Sequence, residues 1–150
     1  MSLNQISEII KDRLYLSGLN PITNDKIKEL KIDIIVSIIN FQDNLNLDSV
    51  ERIFYYAEDE DNFNIIPYFD SFNELAEQNP EKRILVHCHY GVSRSASLIA
   101  SHLINAYHKR KLLTKYDITR ILKIIRKKRD CIDPNDGFIR QLEYYRNSKL

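Results

Sequence analysis

His87-Cys88-His89-Tyr90-Gly91-Val92-Ser93-Arg94-Ser95 separates a thiol from a guanidinium by five residues, with a glycine between them and a hydroxyl directly after. Ile84, Leu85 and Val86 lead in, and a helical pattern follows. A turn from strand to helix points successive backbone N–H groups into one concavity, and the helix N-terminus behind it adds partial positive charge. No proline removes a donor between His89 and Arg94, and Gly91 permits a backbone conformation that a side chain would obstruct. The stretch reads as a nest for a phosphate. His89, Tyr90, Gly91, Val92, Ser93 and Arg94 supply the amides, and Cys88 sits at the base.

The same field acts on the sulfur. Helix termini and nearby cations bring cysteine pKa values from about 8.5 down to roughly 3.5–7.5. Cys88 is therefore expected to be a thiolate nucleophile without a dedicated base. Arg94 has the fork geometry to hold two phosphate oxygens at once, which lysine lacks. Ser95 can donate a hydrogen bond to the Cys88 sulfur when that sulfur leaves, and His87 is expected to orient the loop rather than abstract a proton. Expulsion of an alkoxide also needs an acid from another segment. Glu58, Asp59, Glu60 and Asp61, after a predicted strand, are the candidates. General acids contribute about 10²–10⁴-fold, and a serine or threonine alkoxide needs one more than a tyrosine phenolate does.

Other residues carry plainer readings. His87, Cys88 and His89 are adjacent and cannot easily converge on one ion, and no Cys-x-x-Cys pair accompanies them, so neither a metal nor a cofactor is expected. Cys131 reads as structural, His102 as helix packing and His108 as surface. The net charge of +1 hides an asymmetry. Residues 1–80 carry six Lys/Arg against fifteen Asp/Glu, and residues 81–150 carry sixteen against six. The loop lies in the basic half, which suits an anionic substrate. The charges at 109–111 and 126–129 read as solvated helix ends.

The elements that must position this loop follow from periodicity. Residues 13–17 alternate up to Gly18 and read as a short edge strand. Thr23 or Asn24 can cap a helix through Leu30. Ile34–Ile39 is a buried, β-branched strand, followed by a polar loop over 40–48. A strand over 53–57, a helix over Ile66–Gln78, a strand over 83–87 and a helix over 95–107 come next. Thr114 can cap a helix reaching Lys128 with Ile118, Ile121, Leu122 and Ile125 on its buried face. A turn over 133–137 precedes a last helix carrying Phe138, Leu142 and Tyr145. Strands mostly alternate with helices, so the expected class is α/β, one domain over 1–150 with a largely parallel sheet of about five strands. No apolar run is long enough to span a bilayer. Met1-Ser2-Leu3-Asn4-Gln5 lacks the pattern of a secretory leader. Two cysteines make no disulfide framework. The expected setting is intracellular, cytoplasmic ahead of nuclear.

These residues resemble the cysteine-dependent protein tyrosine phosphatase superfamily, whose signature His-Cys-x5-Arg-Ser/Thr is met in full at 87–95. Gly91-Val92-Ser93-Arg94-Ser95-Ala96-Ser97 is most similar to the dual-specificity phosphatases. Leu14-Tyr15-Leu16-Ser17-Gly18 resembles that family's opening strand and residues 34–40 its second. Asp133-Pro134-Asn135-Asp136-Gly137-Phe138-Ile139-Arg140-Gln141-Leu142 resembles its closing Asn-x-Gly-Phe…Gln-Leu segment. The resemblance implies a metal-free, two-step hydrolysis through a cysteinyl-phosphate. It selects Asp59 as the acid, because Asn64 and Ile65 stand five and six positions later as the family's frame requires. His89-Tyr90 departs from the smaller residues often found after the cysteine. No segment resembles the phosphotyrosine-recognition loop of tyrosine-only enzymes, which implies a shallow pocket open to phosphoserine and phosphothreonine too.

The leading expectation is a dual-specificity phosphatase acting on phosphoproteins, with no membrane partner and with nucleic acid as the less favoured alternative. The same loop serves RNA 5′-triphosphatases and phosphoinositide phosphatases. Its lack of lysine disfavours an inositol headgroup, and Val92-Ser93 resembles the protein enzymes. Retention of Cys88, Arg94 and Asp59 argues against an inactive phosphoprotein-binding module.

Overall fold

Residues 3–150 are described by a computed structural model; Met1 and Ser2, part of the stretch considered above for a leader, lie outside the described residues. In chain order the elements are β1 (Ser7–Ile10), β2 (Leu14–Ser17), α1 (Asn24–Leu30), β3 (Ile34–Ile39), β4 (Glu51–Tyr56), α2 (Ile66–Gln78), β5 (Ile84–His87), α3 (Arg94–Lys109), α4 (Ile118–Lys128) and α5 (Asp136–Asn147). The strands form one sheet in the order β1-β2-β5-β3-β4. β1 and β2 pair antiparallel, and the remaining pairs are parallel. The α/β expectation with a five-stranded, mostly parallel sheet is met.

Both faces of the sheet are covered, so its inner strands read as unbroken apolar runs. Leu14, Leu16, Ile34, Val36, Ile38, Ile84 and Val86 point to the large core beneath α2, α3, α4 and α5, where Phe69, Phe72, Ile99, Ile125 and Phe138 are fully buried. Tyr15, Ile35 and Leu85 point the other way and meet Ile22 and Ile27 around α1. β5 runs down the middle, so its C-terminal end, which carries Cys88, is flanked by a parallel strand on either side. Small residues (Ser95, Ala96, Ser97, Ala100 and Ser101) let the first half of α3 sit buried against the sheet. The helix N-terminus is thereby fixed behind the loop. No helix among the described residues is long and apolar enough to cross a membrane.

Three expectations need correction. The strand at 13–17 is not an edge: β1, unanticipated, pairs outside it, and all four residues of β2 are buried. Thr114 does not cap α4. It lies in a 3₁₀ turn (Leu113–Lys115), and Asp117 caps the helix by accepting from the Arg120 N–H at 2.8 Å. β4 begins at Glu51 and ends at Tyr56, two residues ahead of the predicted strand at its start. Thr23, by contrast, caps α1 as expected, accepting from the Lys26 N–H at 3.1 Å.

Candidate active site

Cys88 follows β5 directly and is 2% exposed. Its Sγ lies 3.0 Å from the Ser95 Oγ, and the Gly91 N–H donates to it at 3.3 Å. The loop that follows has its carbonyls turned outward into the protein. The Cys88 oxygen accepts from His87 Nδ1 at 2.9 Å and the His89 oxygen from the Leu19 N–H at 2.9 Å. The Tyr90 and Gly91 oxygens accept from Arg129 at 3.0 and 2.9 Å. The Val92 oxygen accepts from the Asp133 N–H at 2.8 Å, and the Ser93 oxygen accepts from both the N–H and the hydroxyl of Ser97. A trans peptide unit carries its C=O and the next N–H on opposite sides. With six successive oxygens held outward, the following amides face the concavity above Cys88.

Among the described residues, Arg94, buried in the first turn of α3, is anchored by one end only. Its Nη1 donates to Asn40 Oδ1 at 3.1 Å and to the Ala57 oxygen at 3.0 Å. Its Nε is buried and meets no hydrogen-bond partner among the described residues. A buried polar group without a partner costs about 1–3 kcal/mol, so this edge of the guanidinium suits an oxyanion. Asn40, directly after β3, was not anticipated in this role. The signal was a lone amide at the C-terminal end of an otherwise apolar strand.

His87 is fully buried. A carbonyl only accepts, so the bond to the Cys88 oxygen puts the ring proton on Nδ1. Nε2 then accepts from the Ser37 hydroxyl at 2.6 Å, and Ser37 accepts from Arg52 at 3.1 Å. Arg52 pairs with Asp43 at 2.7 Å and holds that carboxyl below its ordinary range. Burial pushes His87 down to about 4, so it is neutral at pH 7 and orients the loop. The His89 ring packs edge-on against Phe41, with the exposed Tyr90 alongside.

The acid candidates separate. Asp59 Oδ1 accepts from Asn135 Nδ2 at 2.9 Å, and the Asn135 backbone N–H donates to Ser93 Oγ at 2.9 Å. One residue thus ties Asp59 to the phosphate loop. Asp61 instead lines a cleft with Asn64, Asp70 and Arg140. Its backbone rests on Gly137, where a Cβ would stand 1.9 Å from the Asp61 oxygen. Gln141 completes the seat, accepting from the Ile65 N–H and donating to the Phe63 oxygen, both at 2.8 Å. The closing segment therefore holds the acidic loop through Asn135, Gly137 and Gln141.

The charges at 126–129 are not uniformly solvated. Lys127 and Lys128 are exposed, but Arg129 is fully buried behind the loop. The charges at 109–111 are exposed as expected, and Lys109 pairs with Glu77. Cys131 is a half-buried free thiol. His102 packs against Phe72 and Asn73, and His108 is exposed.

Together, the fold and the loop define a cysteine-based phosphatase architecture. The dual specificity phosphatase catalytic domain family matches residues 14–148, and the chain belongs to that family. The Amsacta moorei entomopoxvirus protein AMV078, which carries the name of a tyrosine-protein phosphatase, is 36% identical over 96% of this chain and 88% of its own length. The tyrosine-protein phosphatase yvh1 of Schizosaccharomyces pombe is 32% identical over 96% of this chain, which spans 42% of that protein. The crystal structure of the Yvh1 phosphatase domain from Chaetomium thermophilum superposes with a TM-score of 0.81 at 25% identity, covering 95% of this chain and 96% of that one. The expectation of a protein phosphatase, a phosphoric monoester hydrolase, is met at the level of the family.

Proposed function

We propose that this chain hydrolyses phosphotyrosine and phosphoserine or phosphothreonine in proteins through a cysteinyl-phosphate, with residues 1–150 acting as one catalytic domain. The observation that carries the reading is the Arg94 Nε, without a partner among the described residues, beside a loop whose carbonyls from Cys88 to Ser93 are all bonded outward. The Cys88 thiolate attacks phosphorus in line, and the bond to the leaving oxygen breaks as Asp59 gives that oxygen its proton. Asp59, now a carboxylate, takes a proton from a water that attacks phosphorus. The P–S bond then breaks while the Ser95 hydroxyl donates to the departing sulfur. Loop amides and Arg94 hold the equatorial oxygens throughout, so catalysis is mainly positioning and charge stabilisation. No step asks for a metal or cofactor. The nucleophile must stay reduced, which suits an intracellular, cytoplasmic setting.

C88S should abolish turnover of p-nitrophenyl phosphate while C131S retains it; the reverse pattern refutes the assignment. Turnover compared across phosphotyrosyl peptides, phosphothreonyl peptides, phosphoinositide vesicles and triphosphate-ended RNA should favour the peptides. Faster hydrolysis of either non-protein substrate would replace the proposed substrate class.

A further inference from the structure

We propose that Arg129 is a positioning residue of the phosphate loop, aiming two of its amides and making its shape depend on the N-terminal strand. The proposal rests on the phosphatase reading above. Arg129 ends α4 and is fully buried. Its Nη2 donates to the Tyr90 oxygen at 3.0 Å and its Nε to the Gly91 oxygen at 2.9 Å. All peptide bonds among the described residues are trans, so each grip fixes the N–H on the far side of the same peptide plane. Holding the Tyr90 oxygen turns the Gly91 N–H inward, and that N–H does point at Cys88 Sγ. Holding the Gly91 oxygen turns the Val92 N–H inward in the same way.

The far side of the guanidinium is bound to the start of the chain. Nη1 donates to the Gln5 oxygen at 2.7 Å and to Ser7 Oγ at 3.2 Å, and Nη2 reaches the Leu3 oxygen at 3.3 Å. One rigid plane therefore joins the residues leading into β1 to the middle of the loop. A lysine has one nitrogen and cannot span both. Gly91 is shaped to this approach: its φ is +69°, and a Cβ there would stand 2.6 Å from Arg129 Nη2 and 2.4 Å from the Ser17 carbonyl carbon.

The test compares wild type, R129M and R129K for tungstate affinity by calorimetry and for kcat and KM on p-nitrophenyl phosphate, with folding followed by circular dichroism. R129M should bind tungstate about tenfold more weakly and lose about 10²-fold in kcat, the loss that follows removal of one oxyanion donor. R129K should fall between R129M and wild type, because it recovers one carbonyl. A folded R129M with wild-type tungstate affinity and kcat but a lower melting temperature would make Arg129 a staple of the fold and overturn the proposal. If R129M does not fold, R129K decides: weakened tungstate binding supports the role, and wild-type binding and turnover overturn it. Failure of the wild-type protein itself to bind tungstate would refute the phosphatase reading as well.

Discussion

Asn135 does two separable things, and substitutions can pull them apart. Its Oδ1 caps α5 by accepting from the Phe138 N–H at 2.8 Å, while its Nδ2 donates to Asp59 at 2.9 Å. Alanine removes both bonds. Serine caps a helix about as well as asparagine, and replacing either by alanine costs about 0.5–2 kcal/mol. Serine is too short, however, to hold the Asp59 carboxylate. N135S and N135A should therefore lose the same activity, and N135A alone should melt lower, by about 2–4 °C per kcal/mol for a chain of this size.

The size of the shared activity loss follows from exposure. A hydrogen bond to a charged group is worth about 1.5–3 kcal/mol when well held. Asp59 is exposed, so its bond belongs near or below the lower end of that range. About 1.4 kcal/mol is a factor of ten. The loss must also depend on the leaving group, because a serine or threonine alkoxide needs the proton more than a nitrophenolate does. N135S should thus slow phosphothreonyl-peptide hydrolysis about tenfold and p-nitrophenyl phosphate much less. The assay is kcat on both substrates beside a melting curve for each variant. Equal losses on the two substrates, or wild-type rates in N135S, would show that Asn135 does not hold the acid.

Substitution at the acid itself makes a sharper contrast. D59N should lower phosphothreonyl-peptide turnover by about 10²–10⁴-fold, with D61N near wild type; comparable losses would move the acid elsewhere. His87 sets an acid limit on stability. Its folded value of about 4 lies below the ordinary 6.5, so the unfolded chain takes up this proton first as pH falls. The stabilisation is complete above pH 6.5, declines as pH falls and is lost by about 4. The drop is about 3 kcal/mol. Burial pushes His102 down to about 4 as well, so urea unfolding at a series of pH values is read in H102N, where a midpoint that stays flat between pH 6.5 and 4 would refute the buried, neutral His87 ring.

How much of this was legible in the sequence depends on whether the signal was local. β3 and β5 are buried on both faces and announce themselves as apolar runs, and the nucleophile, guanidinium and hydroxyl lie within one turn. β1 was hidden because its hairpin lacks a glycine: Asp12 takes the left-handed conformation at φ 60° instead. With β1 unseen, β2 looked like an edge. Thr114 and Asp117 are both capping types three residues apart, and only the tertiary fold puts the first in a 3₁₀ turn. The contact that sets Asp59 apart from Asp61 comes from Asn135, 76 residues away. Spacing within the acidic run could not supply it, although the closing segment flagged the residue.

Arg129 is the instructive case. The run Arg126-Lys127-Lys128-Arg129 looks like helix-end charge, and two of its members behave that way. Yet the buried stripe of α4 runs through Ile118, Leu122 and Ile125, and the next position on that stripe is 129. A cation that continues an apolar face must find acceptors inside the protein. In this fold the acceptors within reach are the outward carbonyls of the phosphate loop on one side and Leu3, Gln5 and Ser7 on the other. The periodicity marks the residue as buried, and the charge shows that something polar must receive it. Only the packing of α4 against the loop says that the receiver is the Tyr90 and Gly91 backbone.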